Sequence, residues 1–235
     1  MIPLRATIPS RSFPAMTLAL IVVNVLVFLY ELGLGPALEP FLLAHGFVPA
    51  VYFSRVQIQP WDLPARFTPM VSSMFLHGGW LHLIGNMWVL WIFGNNVEDR
   101  LGKGRYLLYY VVCGLVAAYV HFLTGPRSGV PVIGASGAIA GVMGGYCVLF
   151  PHARVVALVP IFVFLRIITI PAVLFLVFWF FAQLLNGMAT SAAHFGDGVA
   201  WWAHVGGFAA GALMVLPLRR ASGDADESGS QRFGV

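Results

Sequence analysis

The sequence predicts an all-α polytopic membrane protein, a single bundle of six spanning helices with a long interfacial loop between the first two spans. Three observations predict this class. Hydrophobic residues make up 59% and charged residues only 9% of the chain, whereas a soluble domain carries about 25% charged residues. The mean hydropathy is +0.85. Six spans of about 20 residues and their connections would also use nearly the whole chain, which leaves little for a separate soluble domain.

Six apolar segments are long enough to cross a bilayer as helices, which need about 20 residues each. They cover residues 15–32, 80–97, 106–123, 133–150, 168–187 and 199–218. The first segment follows Arg5 and Arg11, as the apolar core of a signal peptide would. It is longer than such a core and no small-residue cleavage site follows it, so we expect an uncleaved helix.

Two connections carry apolar residues of their own. Residues 33–79 are rich in proline and aromatic side chains. They are too apolar for a flexible linker and too broken for a spanning helix, so they are expected to fold back and lie partly in the membrane interface. The run from Val155 to Ile167 is interrupted by Pro160 and Arg166, which predicts a short interfacial or re-entrant piece.

Positive charge sets the predicted orientation. With a cytoplasmic N-terminus, ten of the thirteen Lys and Arg fall on the inner side, the bias expected of a membrane protein. The inner residues are Arg5, Arg11, Arg100, Lys103, Arg105, Arg154, Arg166, Arg219, Arg220 and Arg232, and the outer ones are Arg55, Arg66 and Arg127. The predicted parts are a cytoplasmic N-terminal segment (1–14), a membrane domain (15–218) and a disordered cytoplasmic tail (219–235). The net charge of +4 is therefore a topology signal, and no nucleic-acid partner is predicted.

A cluster of polar residues is predicted near the outer ends of three spans. Ser136 lies in Gly134-Ala135-Ser136-Gly137, and His204 lies in Ala203-His204-Val205-Gly206-Gly207. Both fall in the first turn or two of spans that run from outside to inside, so their side chains can share a depth. His82 and Asn86, four residues apart on one face of span two, lie at the same level. Polar groups are costly in hydrocarbon, so this cluster is a candidate functional site.

These motifs, in this order on three spans, resemble those of the rhomboid family of intramembrane serine proteases. The resemblance rests on His82-Leu83-Ile84-Gly85-Asn86, on the serine motif and on the histidine motif with Gly211. It extends to Glu98-Asp99-Arg100, which is similar to the family's Glu-x-Arg and is expected to form a structural network. It covers residues 16–218 and implies a six-helix rhomboid fold. It also implies a serine endopeptidase that cleaves single-span membrane proteins near the outer membrane face.

Peptide hydrolysis needs a nucleophile, a base and a stabiliser of the oxyanion. Ser136 is predicted to be the nucleophile, and His204 the base that takes its proton and returns it to the leaving amine. No Asp or Glu that could match His204 is expected in the outer part of the spans, which predicts a dyad rather than a triad. The backbone N–H of Ser136, at a helix start, favours a developing anion. The resemblance adds the side chains of Asn86 and His82 as oxyanion donors.

Three glycines, Gly134, Gly137 and Gly207, are expected to support the site. Gly134 and Gly137 flank Ser136 and let another backbone approach closely. Gly137 with Gly141, and Gly207 with Gly211, form the small-x-x-x-small pattern that packs membrane helices. Helix packing and catalysis are compatible roles for these residues.

The chain departs from the family pattern beside the serine. Many members carry an aromatic residue four positions after it, packed against the histidine, whereas this chain has Ala140. His204 would then be held either less firmly or by another ring, for which Trp202 and Phe208 are the candidates.

The predicted partners are single-span membrane protein substrates and the lipid bilayer, and the resemblance implies lateral access between spans two and five. No cofactor is predicted, and no metal site, because His77 and His82 have no acidic residue near them at ligand spacing. The oligomeric state stays open. A catalytically inactive rhomboid-like protein that binds membrane clients is the alternative, while a transporter would need ionisable residues at the membrane midplane. The charge bias favours a bacterial inner membrane, with the site opening to the outer side.

Overall fold

A computed structural model of the protein describes residues 1–59, 61–161, 164–193 and 200–217. This part of the chain is mostly helical. The tail over residues 219–235, predicted to be disordered, lies outside the described residues.

A helix lies in each of the six apolar segments. These helices are α1 (Ala15–Gly33), α5 (Trp80–Leu101), α6 (Lys103–Thr124), α7 (Ser136–Leu149), α8 (Ala172–Ala193) and α9 (Trp201–Met214). Among the described residues, three helical stretches are long and apolar enough to cross a membrane, namely Ala15–Gly33, Lys103–Thr124 and Ala172–Thr190. The positions of the six helices are thus as expected, and six membrane crossings stay a prediction.

A three-stranded antiparallel sheet makes the expectation of an all-α fold wrong. Its strands are β1 (Ile2–Ala6), β2 (Arg154–Ile161) and β3 (Phe164–Pro171), in the order β1-β2-β3. The run from Val155 to Ile167, which was expected to be interfacial or re-entrant, therefore belongs to a β-hairpin. Strand β3 also includes the first residues of the predicted span five. Alternation explains the strands, since Val155 and Ala157 are fully buried on one face of β2. β-branched residues such as these valines and isoleucines also favour extended backbone.

The end of α5 fastens the N-terminal segment to the bundle. The Glu98 carboxylate accepts hydrogen bonds from the backbone N–H groups of Met16 and Thr17, at 3.0 and 2.8 Å. It thus satisfies free donors at the start of α1 and places a negative charge there, which stabilises a helix N-terminus. Glu98 was expected to form a network with Arg100; it binds α1 instead, and Arg100 is exposed.

Asp99 holds the chain just before α1. Its carboxylate accepts hydrogen bonds from the backbone N–H groups of Arg11 and Ser12 and from the hydroxyls of Ser10 and Ser12. Burial raises the pKa of Asp99, but these hydrogen bonds outweigh it, so the pKa lies below its ordinary value. The carboxylate is therefore charged at neutral pH.

The long connection after α1 folds into three short helices. These are α2 (Leu38–His45), α3 (Pro49–Ile58) and α4 (Leu63–Ser72). Phe47, Tyr52 and Met70 of this connection form a separate small core with Ala118 of α6. The connection therefore packs onto the helical bundle through buried apolar side chains.

Helices α7 and α9 pack backbone against backbone. A Cβ added at Gly207 would collide with the carbonyl oxygen of Gly137, and one added at Gly211 would collide with that of Gly141. The two small-x-x-x-small patterns, which were expected to pack helices, thus face each other. Because the axes approach so closely, short side chains at the starts of α7 and α9 can reach each other.

Candidate active site

The serine and histidine meet at the start of α7 and α9. Ser136 is the first residue of α7, and His204 lies in the first turn of α9. Ser136 Oγ and His204 Nε2 are 2.7 Å apart, which is a hydrogen-bond distance for these atoms. Both residues are partly buried. The hydroxyl and the imidazole are therefore placed for proton transfer.

A third polar side chain, from α8, completes the contacts of the imidazole. Gln183 is buried, and its Oε1 lies 2.8 Å from His204 Nδ1. Gln183 was not predicted from the sequence, where only Asp and Glu were expected as partners of the histidine. The available signal was an amide within the apolar run from Phe178 to Leu185, which is costly in a membrane unless it is hydrogen-bonded.

Two tryptophan rings flank His204. The Trp179 ring centroid lies 5.8 Å from that of His204 with an interplanar angle of 37°, and the Trp201 centroid lies 6.2 Å away at 90°. Phe208, one of the two expected rings, packs against Trp179 with ring centroids 6.3 Å apart. Trp179 in turn lies beside the imidazole of His204.

The other expected ring, Trp202, lies beside α8. A Cβ added at Gly187 would be 3.2 Å from Trp202 Cε2. Ala140, where the family often has an aromatic residue, is fully buried.

The two predicted oxyanion donors lie beside the backbone that leads into α7. Gly134 has φ +120°, and a Cβ added there would lie 2.6 Å from His82 Nε2 and 3.6 Å from Asn86 Nδ2. Such a φ is rarely adopted by other residues. The Gly134 N–H also donates to the carbonyl of Ser73 at 2.8 Å. The glycine therefore lets both side chains approach the chain two residues before Ser136.

His77 and a buried carboxylate lie behind Asn86. Asn86 Nδ2 donates to His77 Nε2 at 3.0 Å. The backbone N–H of His77 donates to the Glu31 carboxylate, at 3.2 Å to its nearer oxygen. Glu31 is buried at the end of α1. Glu31 lies in the last turn of the predicted first span and was not identified from the sequence; it binds His77, while His204 contacts Ser136 and Gln183, so a dyad stays a prediction.

Burial is the main reason that the pKa of His77 is lowered to about 4, and the nearby His82 lowers it further. His77 is therefore neutral at pH 7, with Nε2 free to accept from Asn86. Across the described ranges, no group of three or more His, Cys, Asp or Glu side chains is placed to hold a metal ion.

Apolar helices able to cross a bilayer, with a hydrogen-bonded serine and histidine at one end, define an integral membrane protein with a candidate hydrolytic site. A profile of the Rhomboid domain matches residues 64–221. The chain belongs to the rhomboid family.

Three curated relatives illustrate its range of similarity. Presenilin-associated rhomboid-like protein A, mitochondrial, of Danio rerio is 33% identical over 42% of this chain and 27% of the relative. RHOMBOID-like protein 5 of Arabidopsis thaliana is 39% identical over 32% of this chain and 24% of the relative. Putative rhomboid protease YdcA of Bacillus subtilis is 38% identical over 33% of this chain and 38% of the relative. The matches span well under half the length of these relatives.

Proposed function

We propose that this protein is an intramembrane serine endopeptidase that cleaves single-span membrane proteins near the outer membrane face. The observation that carries the proposal is the 2.7 Å contact between Ser136 Oγ and His204 Nε2, at one end of two closely packed apolar helices. A serine hydroxyl is a weak nucleophile unless a base within hydrogen-bond reach removes its proton. The site requires no metal or cofactor for this chemistry.

The reaction follows from the atoms at the site. Ser136 Oγ attacks the substrate carbonyl carbon while its proton moves to His204 Nε2. The carbon–nitrogen bond of the tetrahedral intermediate then breaks, and the amine leaves with that proton. A water molecule, activated by the same nitrogen, attacks the acyl-enzyme and releases the acid with restoration of Ser136.

The oxyanion is stabilised by the Ser136 backbone N–H and by Asn86 and His82. Asn86 Nδ2 carries two hydrogens, so one can bind His77 Nε2 while the other faces the site. His82 Nδ1 accepts from the Gly78 N–H at 3.4 Å, which leaves Nε2–H as a donor on the side of Gly134. Removing one oxyanion donor typically lowers turnover about a hundred- to a thousand-fold.

The proposed membrane placement has six crossings, with residues 15–218 as the membrane domain and both flanking parts cytoplasmic. The Glu98 end of α5 and the start of β2, which follows the end of α7, lie at the opposite end of the helices from Ser136. Six of the ten described Lys and Arg lie in or beside these segments: Arg5, Arg11, Arg100, Lys103, Arg105 and Arg154. This asymmetry supports an inner sheet and an outer site, in a bacterial inner membrane.

Substrate access is proposed between α5 and α8. Phe175 of α8 is buried near Phe93 of α5, with ring centroids 6.5 Å apart, whereas Phe178 and Phe181 are exposed. A spanning substrate helix hides its carbonyls in backbone hydrogen bonds. Substrates with glycine or proline near the cleaved bond are therefore expected to react best, because their helices open more easily.

The test is cleavage of a reporter transmembrane substrate by purified protein in liposomes. The wild type is expected to cut near the outer face, while Ser136→Ala and His204→Ala are silent. Ser54→Ala and His152→Ala serve as controls, since both residues are exposed and lie away from the site. Equal cleavage by all variants would point to a contaminant. A folded wild type that cuts no substrate would favour the client-binding alternative.

A further inference from the structure

The amide of Gln183 is buried in an apolar helix and faces the imidazole of His204. Gln183 Oε1 lies 2.8 Å from His204 Nδ1, and the residue is only 7% exposed. A buried amide without a hydrogen bond is costly, so the contact holds both groups in place. We propose that Gln183 is a positioning residue that sets the tautomer and orientation of His204 for catalysis. This inference rests on the proposed peptidase function.

The donor and acceptor chemistry of the amide fixes the tautomer. An amide oxygen only accepts hydrogen bonds, so His204 Nδ1 must carry a hydrogen to bind it. In a neutral imidazole the other nitrogen, Nε2, is then unprotonated. Nε2 is the atom 2.7 Å from Ser136 Oγ, so the tautomer held by Gln183 is the one able to take the serine proton.

The same contact stabilises the state that follows proton transfer. When Nε2 takes the proton, the ring becomes positively charged, and its Nδ1–H points at the negative end of the amide dipole. A carboxylate would stabilise this cation more strongly, but an unpaired charge inside a membrane is costly. A neutral amide gives the orientation without that charge.

Helix α8 also supplies a ring beside the imidazole. Trp179 precedes Gln183 by four residues, so the two side chains lie on one face of the helix. The Trp179 centroid is 5.8 Å from that of His204. Ala140 of α7 offers no ring in this place. Helix α8 therefore supplies both a hydrogen-bond acceptor and a ring to His204, beside the Trp201 ring from α9.

Two substitutions separate hydrogen bonding from packing. Gln183→Met keeps the length of the side chain and removes the acceptor, while Gln183→Glu keeps an acceptor and adds charge. Asn186→Met is the matched control, because Asn186 is an exposed amide on the same helix that donates to the carbonyl of Ala182. The kinetics of each purified variant are measured in liposomes with one transmembrane substrate, from about pH 5 to pH 9.

We expect Gln183→Met to lower kcat about 10- to 100-fold with KM within about twofold of the wild-type value. Gln183→Glu is expected to recover most of this loss above neutral pH. Its carboxylate favours the protonated imidazole, so the acid limb of its kcat profile moves to higher pH. Asn186→Met should match the wild type in kcat, KM and pH profile.

Either of two results overturns the inference. One is a Gln183→Met enzyme with the kcat and pH profile of the wild type. The other is an equal loss in the Met and Glu variants, with lowered thermal stability and no shift of the acid limb, which indicates packing alone. Failure of the proposed function looks different, since the wild type itself would neither cleave nor be labelled at Ser136 by a fluorophosphonate probe. That result would remove both proposals.

Discussion

Gly134 is a residue at the site with no room for a side chain and an unusual backbone conformation. Its φ of +120° is rarely available to other residues, and a Cβ would meet His82 Nε2 at 2.6 Å. The glycine lies two residues before Ser136 and also binds the Ser73 carbonyl. A change here would therefore move a proposed oxyanion donor relative to the nucleophile.

We predict that Gly134→Ala lowers kcat on the order of a hundredfold, the loss typical of a removed oxyanion donor. Gly129→Ala is the control in the same connection, because a Cβ at Gly129 meets nothing within 4 Å. Cleavage of a reporter substrate and thermal unfolding are measured for both variants. Wild-type turnover in a folded Gly134→Ala protein would contradict the geometry described for His82.

The pKa of His77 predicts a pH dependence of stability. Burial lowers it from the ordinary 6.5 to about 4. Between these values the unfolded chain binds a proton at His77 and the folded protein does not. The free energy of unfolding therefore holds its full value above about pH 6.5 and falls as the pH drops toward 4.

His77→Gln should remove this part of the pH dependence. Glutamine can still accept from Asn86 but does not titrate. Thermal unfolding in detergent micelles is recorded for both proteins from about pH 7 to pH 4, and the wild-type Tm should fall more steeply. Parallel Tm curves would show that His77 is not held neutral by the fold.

Local motifs are enough to find some residues of the site and not others. Ser136 and His204 stand in short glycine-rich patterns, so their meeting could be expected from sequence order and depth. Gln183 and Glu31 have no such pattern around them. Their partners are 21 and 46 residues away along the chain, and only the packing of α8 and of α1 brings them together.

At the scale of elements, the contact between α7 and α9 determines how close Ser136 and His204 can lie. Gly207 and Gly211 each face a backbone carbonyl of α7 at a distance that excludes a Cβ. A backbone carbonyl in a helix cannot relieve a clash by changing its conformation, as a flexible side chain can by changing its rotamer. A larger residue must therefore separate the helices along their length.

We predict that Gly211→Ala destabilises the protein by about 1–3 kcal/mol, as overpacking of a close contact does. Activity should fall as well, because the helix starts move apart. Gly85→Ala is the control, since a Cβ at Gly85 of α5 meets nothing within 4 Å. Unfolding by denaturant in micelles gives both values. If Gly211→Ala left the free energy of unfolding unchanged while Gly85→Ala lowered it, the close contact between α7 and α9 would not limit the size of residue 211.

Hydropathy located the helices but not the strands. Long apolar runs identify α1, α6 and α8 directly. A helix satisfies its backbone N–H and C=O groups within itself, so a long apolar segment in a membrane is expected to be helical. The residues of β2 and β3 are equally apolar, and Pro160 was taken to break a helix rather than to lie in a strand. The partner of β2 is β1, with Ile2 paired to Leu158. A pairing across so much sequence leaves no local signal.

The whole molecule has two unlike ends. At one end Asp99 and Glu98, near the end of α5, bind the N-terminal segment and the start of α1, and the same segment joins the sheet through β1. At the other end lie Ser136 and His204, with the connection over residues 125–135 beside them. The cations gather at the sheet end, so the charge bias read from the sequence coincides with a structural polarity.

This polarity predicts which end faces the cytoplasm. Gly129→Cys places a thiol at the site end, and His152→Cys places one in the exposed turn before β2. In bacterial spheroplasts a membrane-impermeant maleimide is expected to label Gly129→Cys at once and His152→Cys only after permeabilisation. The wild type gives the background from its native thiols, of which Cys113 is buried and Cys147 half-buried. The opposite pattern would place the site on the cytoplasmic side. The serine–histidine chemistry would be unaffected, but every expectation about where a substrate is cut would be inverted.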